Sequence, residues 1–241
     1  MFSVSRQTMS RTAVIIPALN EELSIGKVIA DLPKNIISEI IVVDNGSTDR
    51  TALVAAEAGA RVVFEKRRGY GSACLKGIFS LRPETDIVVF LDADYSDYPE
   101  DAEKIIQPIL RNEADFVIGS RLLHPENIKT VSLVSRLGNQ LACRLMRMFF
   151  GAEYTDLGPF RAIRRGCLDS LGMRDTDFGW TIEMQIKSSL KGARVTEVPV
   201  RYRKRIGTPK ITGTFWGALQ AFGKITYTII AYKFMRLGGR V

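Results

Sequence analysis

Apolar and polar positions fall in blocks along the first two-thirds of the chain. Short runs rich in Val and Ile lie at 13–17 (AVIIP), 39–43 (EIIVV), 61–64 (RVVF), 86–91 (DIVVFL) and 115–118 (DFVI). Helical patterns lie between them, at 22–31, 48–58, 71–81 and 99–111. Continuous apolar runs predict strands buried on both faces. Their alternation with amphipathic helices predicts a single α/β domain, a mainly parallel sheet with helices on both sides. Ligands bind such sheets beyond the carboxyl ends of the strands.

The segments after those strands are polar. Pro17-Ala18-Leu19-Asn20-Glu21-Glu22 follows the first, Asp44-Asn45-Gly46-Ser47-Thr48-Asp49 the second, Asp92-Ala93-Asp94 the fourth and Gly119-Ser120-Arg121 the fifth. Helix capping accounts for residues such as Thr48 or Asp49. It does not account for Asp44 or for the Asp92/Asp94 pair, which the pattern places on strand ends. Residues two apart on a strand point the same way, so this pair is expected to project together. Two carboxylates a few ångströms apart repel by about 4 kcal/mol at an effective dielectric near 20. An all-oxygen pair without histidine suits a hard divalent ion, Mg²⁺ or Mn²⁺, which shares its shell with substrate phosphates.

Composition narrows the classes. The chain has 241 residues, 46% apolar and 25% charged, which is globular composition. The single histidine, His124, argues against a His-based zinc site and a Ser-His-Asp triad. Cys74, Cys143 and Cys167 have neither zinc spacing nor a disulfide framework, and are expected as reduced thiols of a cytoplasmic protein. A net charge of +8 calls for an anionic partner. Residues 1–11 are polar and read as a flexible start rather than a signal peptide.

PALNEE, VVDNGSTDRT, FLDAD and IGSR, in this order and spacing, resemble the family-2 glycosyltransferases of the GT-A (Rossmann-like) fold. TDLGPFRAIRR (155–165) and VPVRYRKRIGTPKI (198–211) are similar to one branch, the dolichol-phosphate mannose and polyprenyl-phosphate glucose synthases. The likeness covers 12–212, taken as the catalytic domain. It implies an inverting hexose transfer from a UDP- or GDP-linked sugar to a polyprenyl phosphate. Pro17, Ala18, Asn20 and Glu21 would line the nucleoside pocket, Asp44 would bond the base, and Gly71 and Ala93 would complete the donor site. Asp92 would lie near ribose and metal, Asp94 would bind the metal, and Arg121 would face the phosphates. The resemblance also puts Asp156 in the site with its role open. Departures are Ser96, which would be the third metal ligand but a weaker one than the glutamine or histidine of many relatives; Tyr70, where lysine is frequent; and Gly158-Pro159 in place of serine-glycine.

The basic run Arg201-Tyr202-Arg203-Lys204-Arg205 holds too few aromatics for a nucleic-acid surface. It reads better as a phosphate clamp: Gly207-Thr208-Pro209 bends Lys210 towards the arginines. The resemblance assigns Arg205 and Lys210, with Arg203 behind them, to the donor diphosphate and acceptor phosphate. A phosphomonoester is largely dianionic at neutral pH and can attack without a protein base. A hydroxyl acceptor needs one, for which Asp156, Asp177 and Glu183 are the candidates.

Two long helical patterns carry aromatics and cations on separate faces. One is 131–150, with Arg136, Arg144 and Arg147 among Leu141, Leu145, Met148 and Phe149. The other lies within a C-terminal segment, 213–241, with Trp216, Leu219, Phe222, Ile225 and Ile229 on one face. Both suit the membrane interface, or the core, and neither suits a span, since Lys224 interrupts the second. The expectation is a peripheral protein of the membrane's cytoplasmic face, with a homo-oligomer left open. The competing functions are transfer to a hydroxyl acceptor and a non-catalytic nucleotide-sugar-binding subunit.

Overall fold

The computed structural model describes residues 10–207 and 215–237, without the side chains of 128, 215–222, 236 and 237. Lys210, Trp216, Leu219 and Phe222 fall outside that description, as do residues 1–9. Seven strands form one sheet in the order β3-β2-β1-β4-β6-β5-β7. They are β1 (Thr12–Ala18), β2 (Glu39–Asp44), β3 (Arg61–Phe64), β4 (Ile87–Phe90), β5 (Phe116–Ser120), β6 (Arg161–Arg164) and β7 (Val195–Pro199). The β1–β2, β1–β4, β2–β3 and β5–β7 pairs are parallel, and β6 runs antiparallel between β4 and β5. The mainly parallel sheet therefore carries one reversed strand in its interior.

The first four helices are α1 (Ile25–Ala30), α2 (Thr51–Glu57), α3 (Tyr70–Phe79) and α4 (Ala102–Leu110); a 3₁₀ turn, Pro99–Asp101, leads into α4. The last four are α5 (Leu133–Phe150), α6 (Arg165–Leu171), α7 (Trp180–Leu190) and α8 (Phe215–Leu237). Strand side chains alternate between two cores. Val14, Ile16, Val42 and Val89 pack with Val28 and Ile29 of α1 and Ile105, Ile106 and Ile109 of α4. On the other face Ile15, Ile41, Val88 and Phe90 pack with Cys74 of α3, Leu168 of α6, and Trp180 and Met184 of α7. Burying side chains of this size contributes about 1.5–3 kcal/mol each.

A third core joins α5, α7 and α8 through Met146, Phe150, Ile182, Ile186 and Ile229, with Ile225 packed against it. The Ile225–Ile229 face of α8 is thus a core face. Among the described side chains of α8, the exposed large apolar ones are Tyr227, Ile230 and Phe234 instead. On α5, Leu133, Val134, Leu137, Leu141 and Met148 stay exposed along one stripe, with exposed Arg144 and Arg147 beside them. Among the described residues no helix is long and apolar enough to cross a membrane.

Candidate active site

The loops after β1, β2 and β3 are tied together by their own polar side chains. Pro17 and Ala18 close β1, and Ala18 pairs in register with Asp44 at the end of β2. Asn20 turns the chain with φ of 50°, a left-handed conformation that Asn tolerates better than most residues. Its N–H donates to Ser47 Oγ (2.9 Å) and its Oδ1 accepts from the Thr48 N–H (2.8 Å). Asp44 is buried, and its Oδ1 accepts from the Ser47 N–H at 2.8 Å. Asn45 donates to the carbonyls of Glu65 and Arg67 and accepts from the Gly69 N–H. Gly71 opens α3, where a Cβ would stand 2.2 Å from the Asp175 carbonyl oxygen. Close backbone packing against 175–177 thus requires glycine at 71 and brings that loop to the cleft.

The aspartate pair stands in a turn, not on a strand. β4 ends at Phe90, and Tyr95 has φ of 62°. The expected strand alternation therefore does not set the direction of Asp92 and Asp94; the turn does. Ala93 between them is buried in the first core. Asp92 Oδ1 accepts from the Tyr70 hydroxyl at 3.1 Å. Burial and the neighbouring Asp94 raise the Asp92 carboxyl to about 7, against the opposing pull of the Tyr70 hydrogen bond, Arg121 and Arg205. Asp94 Oδ1 accepts from the Ser96 N–H at 2.9 Å. Ser96, expected as the third metal ligand, is 3% exposed and meets Asp94 through its N–H. Asp97 is 2% exposed, and neither carboxylate oxygen has a hydrogen-bond partner among the described residues. Burial, with Asp92 next, holds its carboxyl well above the usual range.

The basic segment lies antiparallel over this turn. Asp97 bridges Tyr202, the Arg203 N–H donates to the Ser96 carbonyl (2.8 Å), and the Ile206 N–H donates to the Asp94 carbonyl (2.9 Å). Arg201 forks onto Asp101 and stacks on Tyr98, and Arg203 donates to the Tyr95 carbonyl and stacks on Tyr95 and Tyr98. These two are structural cations. Arg205 reaches the cleft, with Nη2 2.7 Å from Glu21 Oε1 and Nη1 3.4 Å from Asp94 Oδ2.

On the opposite wall, Arg121 and Asp156 form a fork. Both carboxylate oxygens accept from the guanidinium at 2.8 Å, and the Arg121 N–H adds a third donation to Oδ2. Burial works against ionisation of Asp156, but Arg121 outweighs it and holds the carboxyl below the usual range. A Cβ at Gly158 would stand 2.9 Å from the Gly119 carbonyl, so this loop requires its glycine. Glu183 is 1% exposed and accepts from the Arg174 and Asp175 N–H groups, the Tyr232 hydroxyl and Lys187. A base candidate on sequence, it is here the anchor of the 174–175 turn. Asp177 lies on the same loop, its carboxyl raised by burial and by Asp175.

Sequence reasoning missed three contributors. Tyr70, noted only as a departure, touches Asp92. Asn127 holds the Arg121 and Val200 carbonyls and the Tyr202 N–H, tying the fork to the basic segment. Arg161 is fully buried and donates to the carbonyls of Thr181, Leu157 and Gly158. Only its place amid apolar residues signals such a role.

The sequence profile of glycosyl transferase family 2 matches residues 13–172. The chain belongs to that family. It is 37% identical over 209 residues to an uncharacterised glycosyltransferase of Mycobacterium tuberculosis H37Rv, covering 86% of this chain and 93% of that protein. It is 31% identical over 237 residues to a dolichyl-phosphate hexose transferase of Haloferax volcanii, covering 97% and 100%. Glucosyl-3-phosphoglycerate synthase of M. tuberculosis, solved with Mn²⁺, UDP and phosphoglyceric acid, superposes with a TM-score of 0.72 at 25% identity, over 94% of this chain and 78% of that one. The glycosyltransferase thus has the GT-A fold, and its cleft lies where strands β1, β2, β4 and β5 end.

A divalent cation fits the residues present. The donors are all oxygen, Asp92 and Asp94 crowd one turn, and buried Asp97 lacks a partner among the described residues. No three His, Cys, Asp or Glu side chains among the described residues form a metal cluster. The protein would therefore supply two carboxylates, leaving positions for phosphate oxygens.

Proposed function

We propose that this glycosyltransferase moves a hexose from a UDP- or GDP-linked sugar to a polyprenyl, dolichyl-type, phosphate, with inversion at the anomeric carbon and with Mg²⁺ or Mn²⁺ as cofactor. In this reading Asp92 and Asp94 hold the cation, which when bound neutralises the charge developing on the departing diphosphate. Pro17, Ala18, Asn20 and Glu21 surround the nucleoside, Asp44 accepts from the base, and Gly71 and Ala93 shape the pocket. Arg205 and Lys210 meet the phosphates, and Asp156 orients Arg121 towards them. The three-domain-segment layout, with a catalytic unit over 12–212 and a C-terminal helix beyond it, belongs to the same reading.

The observation that carries the proposal is the state of the carboxylates. Asp156 and Glu183 are both saturated by hydrogen bonds and cations. Neither is placed to take a proton, which favours an acceptor that needs no base: a phosphate dianion. The resemblance of the whole chain to a dolichyl-phosphate hexose transferase points the same way. So does the exposed stripe of α5, where Leu133, Leu137, Leu141 and Met148 with Arg144 and Arg147 suit peripheral contact with a lipid surface.

A second reading keeps a hydroxyl acceptor, because Asp177 stands on the loop that packs on Gly71 and is not saturated in this way. The structural neighbour was solved with such a soluble acceptor. D177N separates the two. Transfer to a short polyprenyl phosphate should change less than about threefold, whereas a base is worth about 10²–10⁴ in rate. A loss of that size with the lipid phosphate contradicts the proposal.

A further inference from the structure

Arg205 occupies an unusual position for a phosphate-binding residue. Its guanidinium is clamped between Glu21 Oε1 at 2.7 Å and Asp94 Oδ2 at 3.4 Å, with the side chain only 20% exposed. Both anchors are themselves fixed. The Glu21 N–H donates to Thr51 Oγ1 (2.7 Å), and Glu21 Oε2 accepts from Ser24 Oγ (2.9 Å). Asp94 is held by the Ser96 N–H, and its carbonyl accepts from the Ile206 N–H, the residue next to Arg205. The clamp is incomplete: Arg205 Nε is buried and has no acceptor among the described residues. A buried donor without a partner is costly, so this N–H calls for an oxygen that none of the described residues supplies.

We propose that Arg205 is the resident counter-cation of Asp94 in the donor-free enzyme, and that it couples cation binding to the arrival of a nucleoside diphosphate. This rests on the reading of Asp94 as a metal carboxylate. Before the donor arrives, the guanidinium neutralises Asp94 and ties it to the nucleoside side of the cleft through Glu21. A divalent cation at Asp94 must displace it. A displaced guanidinium is stable only against a new anion, and the diphosphate oxygens provide one, acceptors for its Nε–H included. Cation and nucleoside diphosphate therefore each strengthen binding of the other, by the same factor. Arg205 acts here as a positioning residue that sets the order of binding.

The test is Mn²⁺ binding itself, measured by calorimetry or by the electron paramagnetic resonance of free Mn²⁺, without turnover. Wild type, R205Q, R205A, R205K and D94N are titrated with Mn²⁺ alone and again with saturating UDP. With Mn²⁺ alone, R205Q and R205A should bind about tenfold tighter than wild type, within the usual range of coupling between sites. R205K, which keeps a cation, should stay as weak as wild type. UDP should raise the Mn²⁺ affinity of wild type by more than that of R205Q. Equal or weaker Mn²⁺ binding by R205Q and R205A, with D94N still abolishing it, overturns Arg205 as counter-cation and leaves the metal site standing. If neither neutral variant folds, an Mn²⁺ affinity in wild type that UDP does not change overturns it as well. Mn²⁺ binding unaltered by D94N removes the metal-site reading, and this proposal with it.

Discussion

On the wall proposed to hold the donor, Asp92 accepts one hydrogen bond from Tyr70 and Asp94 shares Arg205 with Glu21. On the wall proposed to face the acceptor, Asp156 takes three donations from Arg121, and Glu183 is closed off by two backbone N–H groups, a tyrosine and a lysine. Both walls are rich in carboxylates, but among the described residues the first carries fewer cations and donors for its carboxylates than the second. Burial sharpens the contrast, since the Asp92 carboxyl is pushed up to about 7 while that of Asp156 is held low. In the proposed function the first wall receives the cation; the second uses its charges to fix loops.

The largest expected effect breaks the donor wall. D94A should lower kcat by about 10²–10³, the loss typical of removing one preorganised electrostatic contact. Initial rates across a Mn²⁺ series measure it, and full activity at high Mn²⁺ would contradict the assignment. Next comes the acceptor wall, where D156A strands the Arg121 guanidinium. Removing one partner of a buried pair costs about 3–5 kcal/mol. Urea unfolding should show that loss, and a D156A protein as stable as wild type would remove the fork as an architectural pair.

E183Q probes the same wall more gently. It should lower stability by about 1–3 kcal/mol while the folded fraction turns over within a few-fold of wild type. A loss of several orders of magnitude at unchanged stability would restore Glu183 as a base.

The contrast also has a pH signature. The folded-state pKa of Asp92 is raised, so between the unfolded value near 3.9 and about 7 the folded protein keeps a proton that the unfolded chain has released. Metal-free stability attributable to Asp92 therefore falls as pH rises through that window, and D92N should flatten the fall in Tm. Mn²⁺ needs the carboxylate, so its stabilising effect should be greater at pH 8 than at pH 6. The smallest effect is that of Y70F. It removes a hydrogen bond that favours the ionised form, so the pH midpoint of Mn²⁺ binding should move upward, with kcat at pH 8 little changed.

The same two walls differ in how legible they were. Strands β1, β2, β4 and β5 are runs of Val, Ile and Phe largely buried on both faces, whereas β3, at the sheet edge, was legible from RVVF although Arg61 and Phe64 stay exposed. Their loop residues were legible because strand ends are where polar residues are otherwise unexpected. The later elements hide behind buried charge. β6 reads RAIR, and its first arginine is buried only because three carbonyls receive it. β7 carries Glu197, which the Thr155 and Asp156 N–H groups satisfy. α7 buries Glu183, Gln185, Lys187 and Ser188 together with Ile182 and Ile186, so no apolar stripe marks it. Hydropathy cannot see the partner of a buried polar group, whether it lies 3 residues away, as for Arg161 and Gly158, or 41, as for Glu197 and Asp156. The motif at 90–94 was legible as chemistry, yet its geometry was not, because a turn with Tyr95 at positive φ replaces the last residues of the expected strand.

The most direct measurement is product analysis by mass spectrometry, with UDP- and GDP-hexoses, Mn²⁺ and a short polyprenyl phosphate as acceptor. A hexosyl phosphopolyprenol, absent without Mn²⁺ and formed about 10²–10³ more slowly by D94A, is the predicted result. Transfer to hydroxyl acceptors alone, or the same product formed by D94A at the wild-type rate, would contradict the account.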